Sequence, residues 1–323
     1  MTAKTRPPRE RAGGESQDSS REPPLVHRPI MLPEVLSSLR PVSGDVAVDC
    51  TLGGAGHAQA IVEAIGPGGR LIGLDVDPIE LPRARERLHL AGYGPDVVEV
   101  HHASFADLPA VLAAARVTSA DVILVDLGTS AMQQDSAARG FSHKHPGPLD
   151  LRMDPTRGET GAALIARLGE QDLADVLTRN ADEPHAMVVA SIIKRQPITT
   201  THALERLVRV GLHAAEPTLT RPEVRMTVRR TFQALRIAVN DEMTALDRLL
   251  DVLPACLAPG GRVAVLTFHS GEDRRVKQAF RDGHRRGWYA SYARDVIRSG
   301  KAETFADRRA AAAKLRWAVR APW

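Results

Sequence analysis

The sequence predicts an α/β fold, in which a Rossmann-like and mainly parallel sheet is interrupted by a small inserted helical domain. Apolar runs alternate with helix-like segments from residue 28 to residue 126, a pattern typical of parallel sheets with helices on both faces. Three of these runs end in an acid, Asp49, Asp75 or Asp126, as expected where ligands bind at the carboxyl ends of strands. About 135 residues then separate Asp126 from the next clear strand, near residues 262–268, which is far more than one crossover connection requires.

The elements follow from these patterns in chain order. An amphipathic helix is predicted over residues 31–39, and another helix over residues 80–88. Strands are predicted near residues 46–50, 70–75, 97–101, 121–126 and 262–268. Helical patterns in the long connection lie near residues 162–168, 173–177, 186–194 and 203–212. One helix from Thr231 to Leu253 is predicted to follow them.

These patterns divide the chain into three regions. Residues 1–27 are rich in Pro, Arg, Ser, Gly and Glu and are predicted to form a disordered arm. Residues 28–135 and 229–323 are predicted to form the sheet domain. Residues 136–228 are predicted to form the inserted helical domain.

The composition excludes several classes of protein. No apolar run approaches the ~18 residues of a membrane span, so no membrane partner is expected. The two cysteines, Cys50 and Cys256, exclude a disulfide framework and favour a cytoplasmic protein. The twelve histidines lack the spacing of metal ligands, so no metal is expected. Residues 274–320 hold 14 Lys and Arg against 4 Asp and Glu, which fits either nucleic acid binding or a solvated helical surface.

Residues 49–57 (Asp-Cys-Thr-Leu-Gly-Gly-Ala-Gly-His) predict a pocket for a cofactor that contains adenosine. Glycines after a strand let the backbone approach a ligand, and the next helix begins with free N–H groups. Asp75, at the end of the second strand, can accept two hydrogen bonds from a ribose diol. Because Gln59 stands where the dinucleotide fingerprint needs a third small residue, S-adenosylmethionine is favoured over NAD. A tight turn without a ligand is the alternative, which the acids Asp49 and Asp75 disfavour.

Five segments together resemble the bacterial 16S rRNA cytidine N4-methyltransferases, the MraW or RsmH family, over roughly residues 27–320. The segments are Thr51–His57, Asp126–Ser130 with Gln133, Arg139–Ser142 with Gly147–Asp154, Thr231–Ile237, and Thr267–Arg274. The resemblance implies a class I S-adenosylmethionine methyltransferase with a helical domain inserted in its sheet. It implies that residues 28–135 and 229–323 bind the cofactor and that the insert, residues 136–228, recognises the substrate. It also implies cofactor contacts from a glycine loop, a ribose acid, a stacking aromatic, a further acid and an amide, namely Gly54, Ala55, Gly56, His57, Asp75, Phe105, Asp126 and Gln133.

The same resemblance implies that the substrate is a cytidine in the decoding centre (P site) of 16S rRNA, methylated at N4 within the small ribosomal subunit. The residues expected on the substrate side are Arg139, Asp150, Arg152, Arg236, Asn240, His269 and Arg274. Gln233, Arg236 and Asn240 share one helix face, which fits either substrate binding or a solvated surface. Asp126 is the expected catalytic or cofactor-orienting acid, because an acceptor for an N4 proton makes the amine more nucleophilic. Association into a homodimer is left open.

The chain departs from the family pattern mainly on the substrate side. Ala55 replaces a glycine in the cofactor loop, whereas Gly271 replaces a leucine and Asn180–Glu183 replaces Tyr-Gly-Glu-Glu. The expectation is therefore a methyltransferase whose exact nucleotide is open, and which is either the housekeeping enzyme or a diverged second copy. Two other functions remain open: a small-molecule methyltransferase, and a non-catalytic RNA-binding assembly factor with a vestigial cofactor pocket.

Overall fold

The computed structural model describes residues 29–323, so the predicted disordered arm lies outside the described residues. The strands are β1 (Val46–Asp49), β2 (Arg70–Asp75), β3 (Val98–His102), β4 (Ala120–Asp126), β5 (Leu257–Thr267), β6 (Tyr289–Tyr292), β7 (Ile297–Arg298) and β8 (Lys314–Arg320). The helices are α1 (Leu32–Leu39), α2 (Gly56–Ile65), α3 (Glu80–Leu90), α4 (Leu108–Ala114), α5 (Ala131–Asp135), α6 (Gly161–Arg167), α7 (Glu170–Ala181), α8 (Ala186–Ile193), α9 (Thr201–Ala215), α10 (Arg221–Asn240), α11 (Glu242–Cys256), α12 (Ser270–Arg285) and α13 (Lys301–Ala306). None of the helices between residues 29 and 323 is both long enough and apolar enough to cross a membrane.

The strands form one sheet in the order β3-β2-β1-β4-β5-β8-β6, with β7 paired to β8. Strands β1 to β5 are parallel to their neighbours among themselves, whereas β8 is antiparallel to β5, β6 and β7. The predicted α/β class with a mainly parallel sheet is confirmed. The antiparallel end escapes sequence prediction because the buried Arg316 interrupts the apolar–polar alternation of β8.

The strand order positions the predicted acids. Because β1 lies between β2 and β4, the carboxyl ends of these three parallel strands are adjacent. Asp49, Asp75 and Asp126 therefore meet at one edge of the sheet, which is where open α/β sheets bind their ligands.

Helices cover both faces of the sheet, as a parallel sheet requires. Helices α1, α2 and α3 pack on one face, where Ile61 and Leu88 are buried against the strands. Helices α4, α11 and α12 pack on the other face, where Leu249 and Phe280 are buried. The sheet is thus anchored on both sides, which holds its carboxyl edge in place.

The long connection between β4 and β5 forms a cluster of helices with its own apolar core. Helices α6 to α9 bury residues such as Leu173, Val189 and Leu204 against one another, away from the two cores of the sheet. Helix α10 adds Val228 and Phe232 to the same core. The predicted boundary near residue 228 lies inside α10, so the division into a sheet domain and a substrate-recognising insert remains a proposal.

The single helix predicted from Thr231 to Leu253 is wrong. Two helices occupy this stretch, because Asp241, with a φ of 49°, ends α10 and begins α11. Aspartate tolerates this left-handed conformation better than most residues. The apolar stripe is divided at the break: Leu235 packs in the insert core, and Leu246 packs against the sheet. Helical spacing continues across Asp241, which is why periodicity alone misses the break.

Candidate active site

A cavity of about 850 Å³ lies at the carboxyl ends of β1, β2 and β4. The loops after these strands form its floor, and Phe105 and Phe268, which follow β3 and β5, contribute aromatic walls. The side that faces the insert is lined by three polar residues of α10, namely Arg229, Gln233 and Arg236. The cavity is therefore bounded by both parts of the fold.

The glycine loop between β1 and α2 presents backbone to the cavity. Gly53 has a φ of 47° and Ala55 a φ of 59°, and α2 begins after Ala55 without a side-chain cap. The first N–H groups of α2 are therefore available to a ligand. A Cβ on Gly54 would lie 3.2 Å from the Met132 side chain, so a larger residue would crowd the loop. Sequence analysis misses Arg87, whose Nη1 donates to the Gly54 carbonyl at 2.9 Å and fixes the loop from α3.

Asp75 holds the loop and still has capacity to bind. Its Oδ2 accepts from the Gly53 amide at 2.7 Å, and its Oδ1 accepts from the Asp77 amide at 2.8 Å. Each oxygen keeps a further lone pair, so the carboxylate can also accept from a diol. Burial raises its pKa, and the backbone hydrogen bonds oppose that rise. The predicted ribose acid thus lines the cavity in a fixed orientation.

Asp126 is one of two acids in the cavity lining, the other being Glu80, that have a buried oxygen without a hydrogen-bond partner in the described part of the chain. Its Oδ1 is buried and has no hydrogen-bond partner among residues 29–323. Burial raises the pKa of Asp126 to about 8, with further contributions from the charges of Asp49 and Glu272. Burial likewise raises the pKa of Asp49 to about 7. A buried acceptor with spare capacity at the wall of a cavity fits a group that binds or receives a proton.

His57 and Asp126 form a coupled pair at the start of α2. The His57 Nε2 lies 3.0 Å from the Ile30 carbonyl, and because a carbonyl only accepts, Nε2 carries the proton. Burial lowers the pKa of His57 to about 4, so the ring is neutral and its Nδ1 carries a lone pair. That Nδ1 lies 3.5 Å from the Asp126 Oδ2. Two lone pairs repel, so this arrangement favours a protonated Asp126 in the free protein.

Glu272 lies beneath the cavity and was not predicted, although it belongs to the segment Thr267–Arg274. It is buried, and its Oε2 accepts from the Phe268 amide at 2.7 Å in the first turn of α12. Burial raises its pKa, but hydrogen bonds and the nearby His269 and Arg236 outweigh burial and hold that pKa below its ordinary value. A negative Glu272 helps to keep Asp126 protonated. Glutamate near a helix start usually signals capping, so the sequence gives no sign of this role.

The predicted amide and aromatic both reach the cavity wall. Phe105 is half-buried at the end of the loop after β3. The Gln133 Oε1 accepts from the Ser130 amide at 3.0 Å, and its Nε2 donates to the Asp77 Oδ2 at 2.8 Å. The Gln133 side chain therefore anchors the loop after β4 to the loop after β2. Its contact with a cofactor stays a prediction, as does that of Phe105.

Four of the predicted substrate residues brace one loop. The buried Arg139 donates to the Asp77 Oδ2 at 2.8 Å and to the Met153 carbonyl at 2.8 Å. Asp150 and Arg152 form a two-pronged salt bridge, with contacts of 2.7 and 2.8 Å. Asn240 accepts from the Met153 amide at 2.7 Å and thereby ties this loop to α10. In the described part of the chain these four residues do not line the cavity, whereas Met153 does.

The other three predicted substrate residues lie in different surroundings. Arg236 lines the cavity and pairs with Glu242 through contacts of 2.8 and 3.0 Å. His269 caps α12, where its Nδ1 accepts from the amides of the first turn. The exposed Arg274 pairs with Asp182 at 3.3 Å, at the end of α7. The structure therefore brings Arg236 to the cavity, while a substrate role for His269 and Arg274 stays a prediction.

The sequence profile of the MraW methylase family matches residues 24–321. The chain belongs to the MraW methylase family. Ribosomal RNA small subunit methyltransferase H 2 of Alkaliphilus metalliredigens is 40% identical and is aligned over 93% of this chain and 86% of its own length. Ribosomal RNA small subunit methyltransferase H of Sorangium cellulosum is 42% identical, over 91% of this chain and 90% of its own. The protein of the same name from Halorhodospira halophila is 45% identical, over 79% of this chain and 78% of its own.

Membership of this family confirms the resemblance and the predicted cofactor, S-adenosylmethionine. The cavity fits this group. Free N–H groups of α2, the anchored carboxylate of Asp75 and the aromatic Phe105 provide partners for an amino-acid part, a ribose and an adenine. The unpartnered oxygen of Asp126 lies in the same wall and is free for the chemistry of transfer.

Proposed function

We propose that the protein transfers a methyl group from S-adenosylmethionine to N4 of a cytidine in 16S rRNA, at the decoding centre of the small ribosomal subunit. Relatives that are 40 to 45% identical are named ribosomal RNA small subunit methyltransferases. The observation that carries the proposal is the buried, unpartnered Oδ1 of Asp126 in the cavity wall. The protein would act in the cytoplasm, where ribosomal subunits are assembled.

The reaction requires the protein mainly to position the two reactants and to provide a proton acceptor. When bound, S-adenosylmethionine supplies an activated methyl group, so alignment of the two reactants provides much of the rate enhancement. The N4 amine of cytosine is a weak nucleophile because its lone pair is delocalised into the ring. Asp126 would accept a hydrogen bond from this amine and take up its proton as the new bond forms. A carboxyl with a pKa of about 8 is well matched to this task near neutral pH.

The target base must leave its stack to reach Asp126, because a cytidine inside a helix hides N4 from a cavity of this kind. Arg229, Gln233 and Arg236 of α10 line the cavity and would face the incoming base. Arg236 is held by Glu242, so its guanidinium is oriented before the substrate arrives. The insert would thus provide the substrate side of the cavity, and the strand ends would provide the cofactor side.

The decisive experiment compares small-subunit RNA from cells with and without the gene, digested to nucleosides and analysed by mass spectrometry. Loss of N4-methylcytidine without the gene, and its return with the wild-type gene but not with Asp126→Asn, is the expected result. Unchanged methylcytidine in all strains would exclude this substrate. Methyl transfer to a small molecule, with no transfer to RNA, would support the small-molecule methyltransferase instead.

A further inference from the structure

A line of polar side chains runs along α10 toward the cavity. Arg225, Arg229, Gln233 and Arg236 follow one another at intervals of three or four residues, so they lie on one face of the helix. Arg225 and Arg229 are exposed, whereas Gln233 and Arg236 are partly buried in the cavity wall. Between Arg225 and Arg236 the helix rises by about 16 Å. This face therefore leads from open solvent to the place where the target base is proposed to bind.

The exposed end of the face borders a second, shallower depression. It has a volume of about 300 Å³ and is lined by Pro222, Arg225, Met226 and Arg229. Arg229 also lines the large cavity, so the two concave surfaces meet at this residue. The opposite face of α10 is fixed in the insert core, which makes the exposed face a rigid surface. Together, the two surfaces form one continuous path.

The two exposed arginines of this path have no salt-bridge partner in the described part of the chain. Neither Arg225 nor Arg229 forms a salt bridge among residues 29–323, whereas the neighbouring Arg230 lies 3.9 Å from the buried Glu183. Burial lowers the pKa of His143, the charges of Arg229 and Lys144 lower it further, and the charge of Glu205 opposes them. Two positive groups and one acid therefore act at His143. An unpaired cationic surface next to a binding cavity fits a polyanion.

We propose that this surface, called the α10 track and formed by Pro222, Arg225, Met226 and Arg229, binds the single-stranded RNA that flanks the target cytidine. The proposal rests on the proposed function and adds the path by which the RNA reaches the cavity. Arg229, at the mouth, contacts the phosphate beside the target nucleotide. Arg225, about 6 Å further along the helix, contacts a phosphate farther from the target. The Met226 side chain, which is 45% exposed, offers an apolar contact to an unstacked base.

The geometry favours a single strand over a duplex. The target base enters the cavity only when it is unstacked, and unpaired loops and ends release a base most readily. The track is one helix face wide and holds two unpaired arginines in line, which matches one phosphate backbone. Contacts with phosphates fix the register of the strand and carry no sequence information. The choice of cytidine would therefore remain with the cavity itself.

The test is the double variant Arg225→Gln/Arg229→Gln. Its binding is measured with a fluorescently labelled single-stranded RNA copied from the decoding centre, over a series of salt concentrations. We expect affinity for this RNA to fall about tenfold or more, because two charged hydrogen bonds are lost. The slope of log affinity against log salt should shrink by roughly 1.4 for two phosphate contacts on a single strand. Affinity for S-adenosylmethionine, measured by calorimetry, should be that of the wild type.

The matched control is the double variant Arg116→Gln/Arg248→Gln. These two arginines are also exposed and form no salt bridge within residues 29–323, and neither lines the cavity or the track. The control removes the same charge, so we expect its RNA affinity to stay within about twofold of the wild type. Arg229→Gln alone should show part of the loss of the track variant, which keeps the test valid if the double variant folds poorly.

Three results would overturn the α10 track. The first is an unchanged affinity and salt slope in the track variant, and the second is an equal loss in the control variant. The third is an equal loss of binding to the same RNA annealed to its complement, which would exclude a path specific to a single strand. A wild-type protein that neither binds nor methylates the RNA would overturn the proposed function itself, and that result is distinct from all three.

Discussion

The floor of the cavity holds carboxyl groups out of water, whereas the α10 track presents arginines to solvent. The acidic floor comprises Asp75, Asp126 and Glu272, which line the cavity at the strand ends and the start of α12, together with the buried Asp49, which does not line the cavity but raises the pKa of Asp126. Burial raises the pKa values of Asp49 and Asp126 to about 7 and about 8. The α10 track instead exposes Arg225 and Arg229 to solvent. The acidic floor thus holds ionisable carboxyl groups out of water, whereas the α10 track presents positive charges to solvent.

The difference decides what each charge can do. A buried carboxyl whose pKa lies near neutrality can change its protonation state during a reaction, and it acts over short distances. An exposed guanidinium stays charged and attracts a polyanion over a longer range that salt reduces. Substitutions in the acidic floor should therefore change chemistry and cofactor affinity. Substitutions in the α10 track should change RNA affinity and its dependence on salt.

The largest effect is expected from Asp126→Asn. The amide keeps the shape of the acid but cannot take up the N4 proton, so kcat for RNA methylation should fall by about 10²- to 10⁴-fold. Cofactor affinity near neutral pH should change little, because an amide resembles the protonated acid that burial favours. Single-turnover kinetics and calorimetry measure the two quantities. A wild-type rate in this variant would mean that Asp126 does not take part in the reaction. The functional contrast between the acidic floor and the α10 track would then fail for the acidic floor.

A smaller effect is expected from Asp75→Ala, and it should concern the cofactor. Loss of a charged hydrogen-bond acceptor typically costs about 1.5–3 kcal/mol, so the Kd for S-adenosylmethionine should rise by roughly ten- to a hundredfold. Asp96→Ala is the control, because Asp96 is exposed and lies outside the cavity. RNA affinity should be unchanged in both variants. A wild-type Kd in the Asp75 variant would place the ribose elsewhere.

The acidic floor should also give the reaction a pH dependence. Since Asp126 accepts a proton only when ionised and its pKa is about 8 in the free protein, kcat/KM should rise about tenfold per pH unit below that value and level off above it. Measurements use RNA well below its KM, with buffers of constant ionic strength. The residual activity of the Asp126→Asn variant should not rise with pH in this way. A flat profile in the wild type would contradict the assignment of a proton acceptor with a raised pKa.

The same proton links pH to stability. The pKa of Asp126 is about 8 in the folded protein and has the ordinary value of 3.8 in the unfolded chain. The folded state therefore binds more protons between these values, and the contribution of the protonated acid to stability is lost as pH rises toward 8. Asparagine does not ionise, so the Asp126→Asn variant does not lose this contribution. The difference in Tm between the variant and the wild type should therefore grow in favour of the variant as pH rises from 3.8 toward about 8. Thermal unfolding at several pH values measures it.

The sequence predicts those helices and strands that local patterns determine, and it misses those that depend on contacts with distant parts of the chain. The parallel strands are predictable because apolar runs and strand-end acids, such as Asp75, repeat locally. The break at Asp241 is not predictable, because the apolar spacing from Phe232 to Leu250 continues through it while the two halves pack in different cores. Strand β8 is missed because a salt bridge from Arg316 to Asp273 allows a charged residue to be buried in the sheet.

The same distinction applies to the site. The strand-end acids and the glycine loop can be predicted from the order of strands, glycines and acids along the chain. They come together because open α/β sheets bind ligands at the carboxyl ends of their strands. Arg139 and Asn240, predicted on the substrate side, instead brace a loop through partners that lie 62 and 87 positions away in the chain. The α10 track was missed although five arginines lie between residues 221 and 236, because spacing alone does not show which of them are paired with acids. Arg225 and Arg229 matter because no nearby acid in the described part of the chain pairs with them, and only the folded structure shows that.

The smallest effect is expected at the C-terminal basic segment, residues 274–320, whose composition fits either nucleic acid binding or a solvated helical surface. Six of its eleven arginines form salt bridges with residues that the structure describes; among them, Arg275 pairs with Asp247, Arg281 and Arg285 pair with Asp282, and Arg309 pairs with Asp307. The charge counted in the sequence is therefore partly neutralised in the fold. A high density of cations does not by itself identify the RNA-binding face.

The double variant Arg281→Gln/Arg285→Gln removes two positive charges, as many as the track variant Arg225→Gln/Arg229→Gln removes. Because both arginines share Asp282 and neither lines the cavity or the track, RNA affinity should stay within about twofold of the wild type and the salt slope should not change. The measurement is the same fluorescence titration, with Arg225→Gln/Arg229→Gln beside it. A loss as large as that of the track variant would mean that the RNA also covers the end of α12. Unpaired charge would then not be what distinguishes the α10 track.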